Sequence, residues 1–599
     1  MATVGNAEYP RVGPVGEMQK SLAAAVRAAV VKAAAGGRLP SEAVGALEAA
    51  GQAHVEVPRD PGHGDLASTA PLRLAGACRL PPRRVAEEIA AGLDLAGLPV
   101  ESVEVAGPGF INFRLEPRWL NQVIARILRE GPAYGRSNVG AGVPVQVEFV
   151  SANPTGPLGV VNARAAAVGD TLAAVLAAAG FAAQREYYIN DVGGQIERLG
   201  RSVEARWLEL QGREAQIPEG GYRGEYIIDI ARAYEAAHGD EARRMSPAER
   251  AAAMGRFASD MMVQSHRARL AEFRVNFDVW YSQNENITPA ACERTLADLE
   301  ARGHVFRQGG AVWLRTTTFG DDKDRVLVKS DGQPTYFLAD IAYHRDKFER
   351  GFKRVIDLWG PDHHGHIRRM KAAVRALGYP EDALEVLIVQ MVRLMEGGQL
   401  ARMSKRRGQI VPMEELIAEV GVDAARFFFL MRSHESHLDF NLELAKQKTQ
   451  DNPVFYVQYA HARISSILRQ PQAREAGWGG AGEGDAGSET NLAGAGARPD
   501  EARLRAVLPL LGEPAEVALI RRLADFPDEV VGAALAREPH RLTRYALEVA
   551  TAFHKFYDTC RVLTDDLDLR VARLALADAT RVVLANTLGL CGVSAPERM

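Results

Sequence analysis

The sequence predicts a multidomain α/β protein, with a parallel-sheet core between an N-terminal α+β module and an all-helical C-terminal region. Three observations predict it. The 599 residues are several times the usual domain size, so two to four cores are expected. From about Val143 a strand-like VPVQVEFV leads through a turn-rich SANPTGPL into an Ala-rich helical run at 161–179, the opening unit of a nucleotide-binding α/β fold. From Met413 onward helix signals dominate.

The N-terminal segment starts with a helical run at 21–35 and ends in ESVEVAGPGFINFRL, whose alternating apolar residues predict two strands around a Gly107-Pro108-Gly109 turn. After the 161–179 helix, RVIDLWG and EVLIVQMVRL read as buried strands, and IRRMKAAVRAL between them reads as a crossover helix. Residues 197–302 are polar and helix-forming, an expected insertion into the sheet domain. The C-terminal helices are broken at 471–499, where Gly and Ala alternate with charge as in a flexible linker.

Composition narrows the class. Hydrophobic residues make up 47% and charged residues 25%, and no run of 18 apolar residues occurs, so a membrane-spanning chain is not expected. The first 30 residues lack a basic region followed by an apolar stretch, and the four cysteines form no CxxC pair. Both point to a reducing, cytoplasmic setting. With 72 basic and 76 acidic side chains, a nucleic-acid partner would have to be held by local basic patches.

Four stretches could carry chemistry. The strand, Pro/Gly-rich loop and helix of 147–170 would offer backbone N–H groups and a positive helix end to a phosphate, or be a plain βα connection. MSKRRG, beginning at Met403, sets Lys405, Arg406 and Arg407 beside a glycine turn, suited to polyphosphate or to a solvated basic loop. Asp362, His363, His364 and His366 are the densest cluster of metal-ligand types. Three histidines within four residues rarely converge on one ion, so hydrogen bonding to a polar ligand or a structural turn is the expectation and no metal site is predicted. Tyr336, Asp340 and Tyr343 recur at helical spacing, and a buried Asp on an aromatic face would bind a cation. In the C-terminal helices Arg541, Arg544, Tyr545, His554, Lys555, Tyr557 and Arg561 combine cations with aromatics, the pairing that grips unpaired bases and phosphates, or they divide between core and surface.

The order of SANPTGPL, REYYINDVGGQ, PTYFLADIAYHRDK, WGPDHHGHI, MSKR and DNPVFYVQYAHAR resembles the class I arginyl-tRNA synthetases of bacteria over essentially the whole chain. The resemblance implies an additional tRNA-contacting domain at 1–116, a Rossmann-like catalytic domain at 140–445 and a helical anticodon-binding domain at 446–599. It implies ATP-dependent activation of arginine and transfer to tRNA(Arg), with Mg2+ accompanying ATP, by a monomer. Glu148, Ser151, Asn153, Tyr336, Asp340 and His364 then fall at arginine-contacting positions. Gly159, Val161, Asn162, Met403, Ser404 and Lys405 fall at the ATP site. Lys405, Asn162 and Arg164 fall at positions of catalytic stabilisation, and Arg541, Arg544, Tyr545 and Lys555 face tRNA.

One departure stands out. The family's first signature has the form His-x-Gly-His, and here the four residues are Gly159, Val160, Val161 and Asn162. The amide of Asn162 can still donate, whereas Gly159 has no side chain and Val161 adds a branched one where adenine would rest. Two expectations follow: a working arginine–tRNA ligase, or a weakened relative that binds tRNA or arginine without efficient adenylation.

Overall fold

The computed structural model describes residues 9–49, 54–58, 60–116, 118–401, 411–478 and 498–599. Strands β1 (Val55–Glu56), β2 (Leu66–Ser68), β3 (Val100–Ala106) and β4 (Phe110–Leu115) form an N-terminal antiparallel sheet in the order β1-β2-β4-β3. The expected β3–β4 turn is there. Gly109 has φ +144° and a Cβ on it would stand 2.6 Å from the Pro82 carbonyl carbon, so only glycine fits. Helix Pro14–Ala35 covers this module with Leu22, Val26, Ala29, Val30 and Ala33. Its N-terminus lies against the C-terminal region, where Asp528 Oδ1 accepts from the Gly13 amide at 2.8 Å.

The core follows in β5 (Pro144–Glu148), β6 (Ala182–Ile189), β7 (Val279–Ser282), β8 (Val305–Gln308), β9 (Ala311–Leu314), β10 (Arg325–Val328), β11 (Arg354–Trp359) and β12 (Leu384–Ile388). Five of these make an all-parallel sheet in the order β12-β11-β5-β6-β7. The chain moves outward from β5 in both directions, so the topological switch lies between β5 and β11, where ligands of such sheets bind beyond the strand ends. Helix Val160–Ala178 crosses one face, burying alanines and valines against Val145, Val147 and Phe149. By length and hydropathy this helix could span a membrane, which the count of continuous apolar residues did not register. It is instead 72% buried within the protein.

Three expectations need correction. The 197–302 insertion is not one excursion. Helices Gly194–Leu210, Glu225–Ala242 and Pro247–Glu272 leave the sheet, β7 returns to it, and helix Pro289–Ala301 with the antiparallel β8–β9–β10 sheet leaves again. The four-residue β7 is too short to signal itself in a polar region. EVLIVQMVRL is also two strands. β12 ends the parallel sheet, and β13 (Val392–Glu396) joins β14 (Gln399–Leu400) and β15 (Leu438–Asn441) in another. The break at 389–391 is held by Val389 N donating to Trp359 O and Gln390 N to His434 O. Finally, the break expected from 471 starts later, since Pro471–Glu475 is helical and Trp478 is buried, donating to Asp578.

Five long helical elements build the C-terminal region: Pro453–Leu468, Pro514–Ala524, Phe526–Ala536, His540–Thr559 and Leu567–Leu590. Helix Gln122–Glu130 belongs with them in packing, because Asn121 donates to Leu508 O and Leu511 O and the Tyr134 hydroxyl to Leu523 O. The four cysteines are buried and free.

Candidate active site

The carboxyl ends of β5, β6 and β11 put three acids side by side. Glu148 aligns with Glu186 across β5–β6 and with Asp357 across β5–β11. Alternation of side chains turns all three toward helix Tyr336–Glu349. That helix answers with Tyr336, Asp340, Tyr343 and Lys347, spaced four, three and four residues apart and hence on one face. The face runs from solvent inward: Tyr336 is 71% exposed and Lys347 is 0% exposed.

The buried end is fully bonded. Lys347 Nζ donates to Glu148 Oε2 at 2.5 Å and to Asp357 Oδ1 at 2.8 Å. The Tyr343 hydroxyl is shared between Glu148 Oε2 at 2.9 Å and Glu186 Oε1 at 2.6 Å. Arg350 grips Glu186 through two parallel bonds of 2.6 and 2.9 Å. Burial alone would raise the Glu186 carboxyl, but Arg350 and Lys347 hold it below its usual range. Burial would likewise lower Lys347, and the surrounding carboxylates push it up to about 12. His344 bridges Asp357 Oδ2 at 2.9 Å and the Asp340 carbonyl at 2.8 Å. Both ring nitrogens face acceptors.

Asp340 is the exception. Its carboxylate makes no ion pair among the described residues, and burial with Glu148 nearby pushes it up to about 6 despite His344, Arg369 and Lys347. Four carboxylates, Glu148, Glu186, Asp357 and Asp340, thus lie around Lys347 and Arg350, and Asp340 is the one left without an ion pair among the described residues. Tyr188, Tyr281 and Tyr343 supply an aromatic wall, with ring centroids of Tyr188 and Tyr343 4.4 Å apart. Such a pocket suits a planar cation with several donors.

The loop after β5 completes the site. Val150 (φ +68°) and Ser151 (φ +37°) are left-handed without being glycine, strain that clusters at functional loops. Ser151 Oγ donates to Glu148 Oε1 at 2.9 Å and accepts from the Tyr188 amide. Asn153 is exposed at the loop tip. Sequence reasoning missed the residues that hold this loop: the Tyr187 hydroxyl against the Ala152 backbone, His266 against Gly156 O, and the Tyr226 hydroxyl donating to Thr155 O. They come from β6 and from two insertion helices, and no local motif marks them. Tyr336 reaches toward the 190–194 turn, where a Cβ on Gly193 would stand 2.9 Å from its hydroxyl.

The altered signature begins helix Val160–Ala178. Gly159 is its N-cap, and Asn162 Oδ1 accepts from the Gly159 amide at 2.9 Å, one half of a capping box. Residues 158–160 are bridged to 411–413: Val160 N donates to Val411 O and Met413 N to Leu158 O. The amides of Val161 and Asn162 have no protein partner among the described residues, leaving two donors at a positive helix end. Val161 is half-buried beside them. Met403, Ser404 and Lys405 lie outside the described residues.

Arg164 requires correction as a catalytic residue. It is wholly buried, with Nη1 donating to Gln390 O and Nη2 to Ser433 O, both at 2.8 Å. It ties the helix to the β12–β13 break and points away from solvent, which is why burial lowers it to about 10. His363, His364 and His366 are exposed on the turn Pro361–His366, and no group of three or more His, Cys, Asp or Glu among the described residues could hold a metal. The structure gives His364 no contact with the carboxylate cluster.

The C-terminal face divides the expected RNA contacts. Lys555 is exposed, and Arg544 is exposed with a loose partner in Glu548 at 3.8 Å. Arg541 is occupied by Glu529 and Glu538. Tyr545 is a correction: it is core, 1% exposed, its hydroxyl donating to Arg522 O. A better aromatic surface lies alongside. Arg463 sits over Tyr557 at 4.2 Å and Tyr459 at 5.7 Å from the ring centroids, and His554 leans on Tyr456 and Tyr459. These rings are half-buried, and the alternation of faces in FYVQYAHAR carried the signal.

A carboxylate-lined pocket at the switch point, a helix end with free amides and an aromatic, cationic helical face fit the architecture of a class I aminoacyl-tRNA synthetase. Residues 124–428, over half of the chain, match the family model "tRNA synthetases class I (R), catalytic domain". Residues 17–115 match "Arginyl tRNA synthetase N terminal domain" and 457–599 match "DALR anticodon binding domain". The arginine–tRNA ligase of Moorella thermoacetica is 49% identical over 585 residues, 98% of this chain and 100% of the relative. That of Desulforamulus reducens is 47% identical over 588 residues, 98% and 100% of the two chains. The Thermus thermophilus arginyl-tRNA synthetase structure matches with a TM-score of 0.66 at 26% identity, over 97% of this chain and 100% of that one. The chain belongs to the arginyl-tRNA synthetase family.

Proposed function

We infer that the chain is an arginine–tRNA ligase, which activates arginine with ATP and transfers it to tRNA. The observation that carries the arginine assignment is Asp340: the one carboxylate of the cluster without an ion pair among the described residues, at the mouth of a pocket whose other acids are matched. A guanidinium placed there makes charge-assisted bonds to Asp340 and stacks against the tyrosine wall. Glu148 at the end of β5, with Ser151 and Asn153 on the loop after it, would take the amino-acid end, and Tyr336 would close the solvent side. The helix end at 159–162 offers the Val161 and Asn162 amides to phosphate. Lys405 would offset charge developing on the phosphates as the adenylate forms.

We propose that magnesium arrives on the ATP phosphates and needs no protein cage. The chain acts as a monomer in the cytoplasm, reading tRNA(Arg) with Lys555, Arg544 and the Arg463–Tyr459–Tyr557 group. Residues 1–116 supply a further tRNA contact, 140–445 the catalysis and 446–599 the anticodon reading. The weakened-relative reading is not favoured, because full-length relatives near half identity are arginine–tRNA ligases. Calorimetry with arginine and with citrulline, its neutral isostere, tests the pocket: arginine binds and citrulline does not. Equal binding of the two would refute the role of Asp340.

A further inference from the structure

Lys347 is not required by packing. It is completely buried, bridges two acids and stands 4.4 Å from the centroid of the Tyr343 ring. Apolar replacements of such buried ion pairs are often neutral or stabilising, so a buried lysine between two carboxylates is a costly way to fill a core. Its placement explains it better. The helix face that presents Asp340 to solvent presents Lys347 two turns further in, and there Lys347 takes one oxygen of Glu148 while Ser151 takes the other.

We propose that Lys347 is the positioning residue of the arginine pocket: it fixes the Glu148 carboxylate and occupies the buried acids, so that Asp340 is left for the substrate's guanidinium. This rests on the arginine–tRNA ligase reading. With Lys347 present, Glu148 is held by Lys347, Tyr343 and Ser151 and Asp357 by Lys347 and His344, and Asp340 is the carboxylate of the cluster without an ion pair among the described residues. Without it, two adjacent buried acids compete for protons or for the substrate's own cation. Glu148 is then free to turn from Ser151, and the ligand loses its registered acceptor. The groups that face Lys347 are Glu148, Glu186 and Asp357, from three strands, and Asp340 and Tyr343 from its own helix, with His344 on the far side of Asp357.

The test measures arginine binding by calorimetry and steady-state charging from pH 5.5 to 8.5, on wild type, Lys347→Met, Lys347→Arg and the double variant Lys347→Met/Asp357→Asn. The double variant removes one acid with its cation, so it keeps the buried charge balanced if the single variant fails to fold. Positioning predicts that Lys347→Met and the double variant raise KM for arginine roughly tenfold or more, with kcat within about threefold. It also predicts that the acidic limb of kcat/KM moves to higher pH, and that Lys347→Arg restores most of the affinity. A double variant that folds and keeps wild-type KM and pH profile would reduce Lys347 to a structural ion pair and overturn the proposal. Wild-type protein that binds no arginine would overturn the ligase reading itself, an outcome visible before any variant is made.

Discussion

Asn162 Oδ1 accepts a hydrogen bond from the amide of Gly159 at 2.9 Å, so the last residue of the altered signature caps the helix that the signature begins. The side chain that could have replaced a histidine donor is engaged through its oxygen, and its Nδ2 stays free to donate. The helix end is thus capped without the first histidine, and the Val161 and Asn162 amides have no protein partner among the described residues.

Restoring the family pattern measures what that substitution costs. In a competent native site, Gly159→His with Val161→Gly changes tRNA-dependent ATP–pyrophosphate exchange by less than about tenfold. A gain of roughly 10² to 10³, the usual value of one transition-state donor, would mean that the native site is the weakened one.

Asp340 makes arginine binding pH-dependent. Its folded, ligand-free value of about 6 lies above the ordinary 3.8, so ionising it costs the empty protein stability as pH rises through that window. A bound guanidinium needs the ionised form. Arginine affinity is therefore full above about pH 6 and falls as pH drops below it, with proton release on binding near pH 6. Asp340→Asn abolishes this dependence and weakens binding at pH 7.5 by roughly 10- to 150-fold. It leaves the ligand-free melting temperature unchanged or higher. Titration calorimetry in two buffers of different ionisation enthalpy checks the affinity and the proton release, and a thermal melt checks the stability.

Arg164 belongs to the frame. Arg164→Met leaves the part-buried Gln390 and Ser433 carbonyls without their donor, at about 1 kcal/mol each. Denaturant unfolding should register that loss, while kcat/KM of the folded variant stays within about threefold of wild type. A collapse of kcat at unchanged stability would return Arg164 to the chemistry.

The RNA face separates surface from core. Lys555→Ala and Arg463→Ala weaken tRNA binding and each lower its salt slope by about 1 if a phosphate contact is lost. Tyr545→Phe lowers stability through the lost bond to Arg522 O and leaves tRNA affinity intact. Filter binding across salt concentrations distinguishes the two.

Much of the architecture was legible because it is local. The strand, loop and helix around 144–178, the Gly107–Gly109 hairpin and the crossover from β11 into β12 are all written in contiguous periodicity. So was the shared face of Tyr336, Asp340 and Tyr343. The cluster itself was not, because Glu148, Glu186, Lys347 and Asp357 meet only when strand order is known. Arg164 and Tyr545 were misread for the same reason: charge and aromaticity say nothing about which side of a helix is buried. EVLIVQMVRL hid a change of sheet because an apolar run looks alike in one strand or two.

Aminoacylation of purified tRNA by the purified protein, with ATP, Mg2+ and radiolabelled arginine, decides whether the chain is an arginine–tRNA ligase. The expected result is arginine-specific charging that requires ATP and is not replaced by lysine or citrulline. Absence of charging at high enzyme concentration with fully modified tRNA(Arg), from protein that still binds arginine, would contradict it.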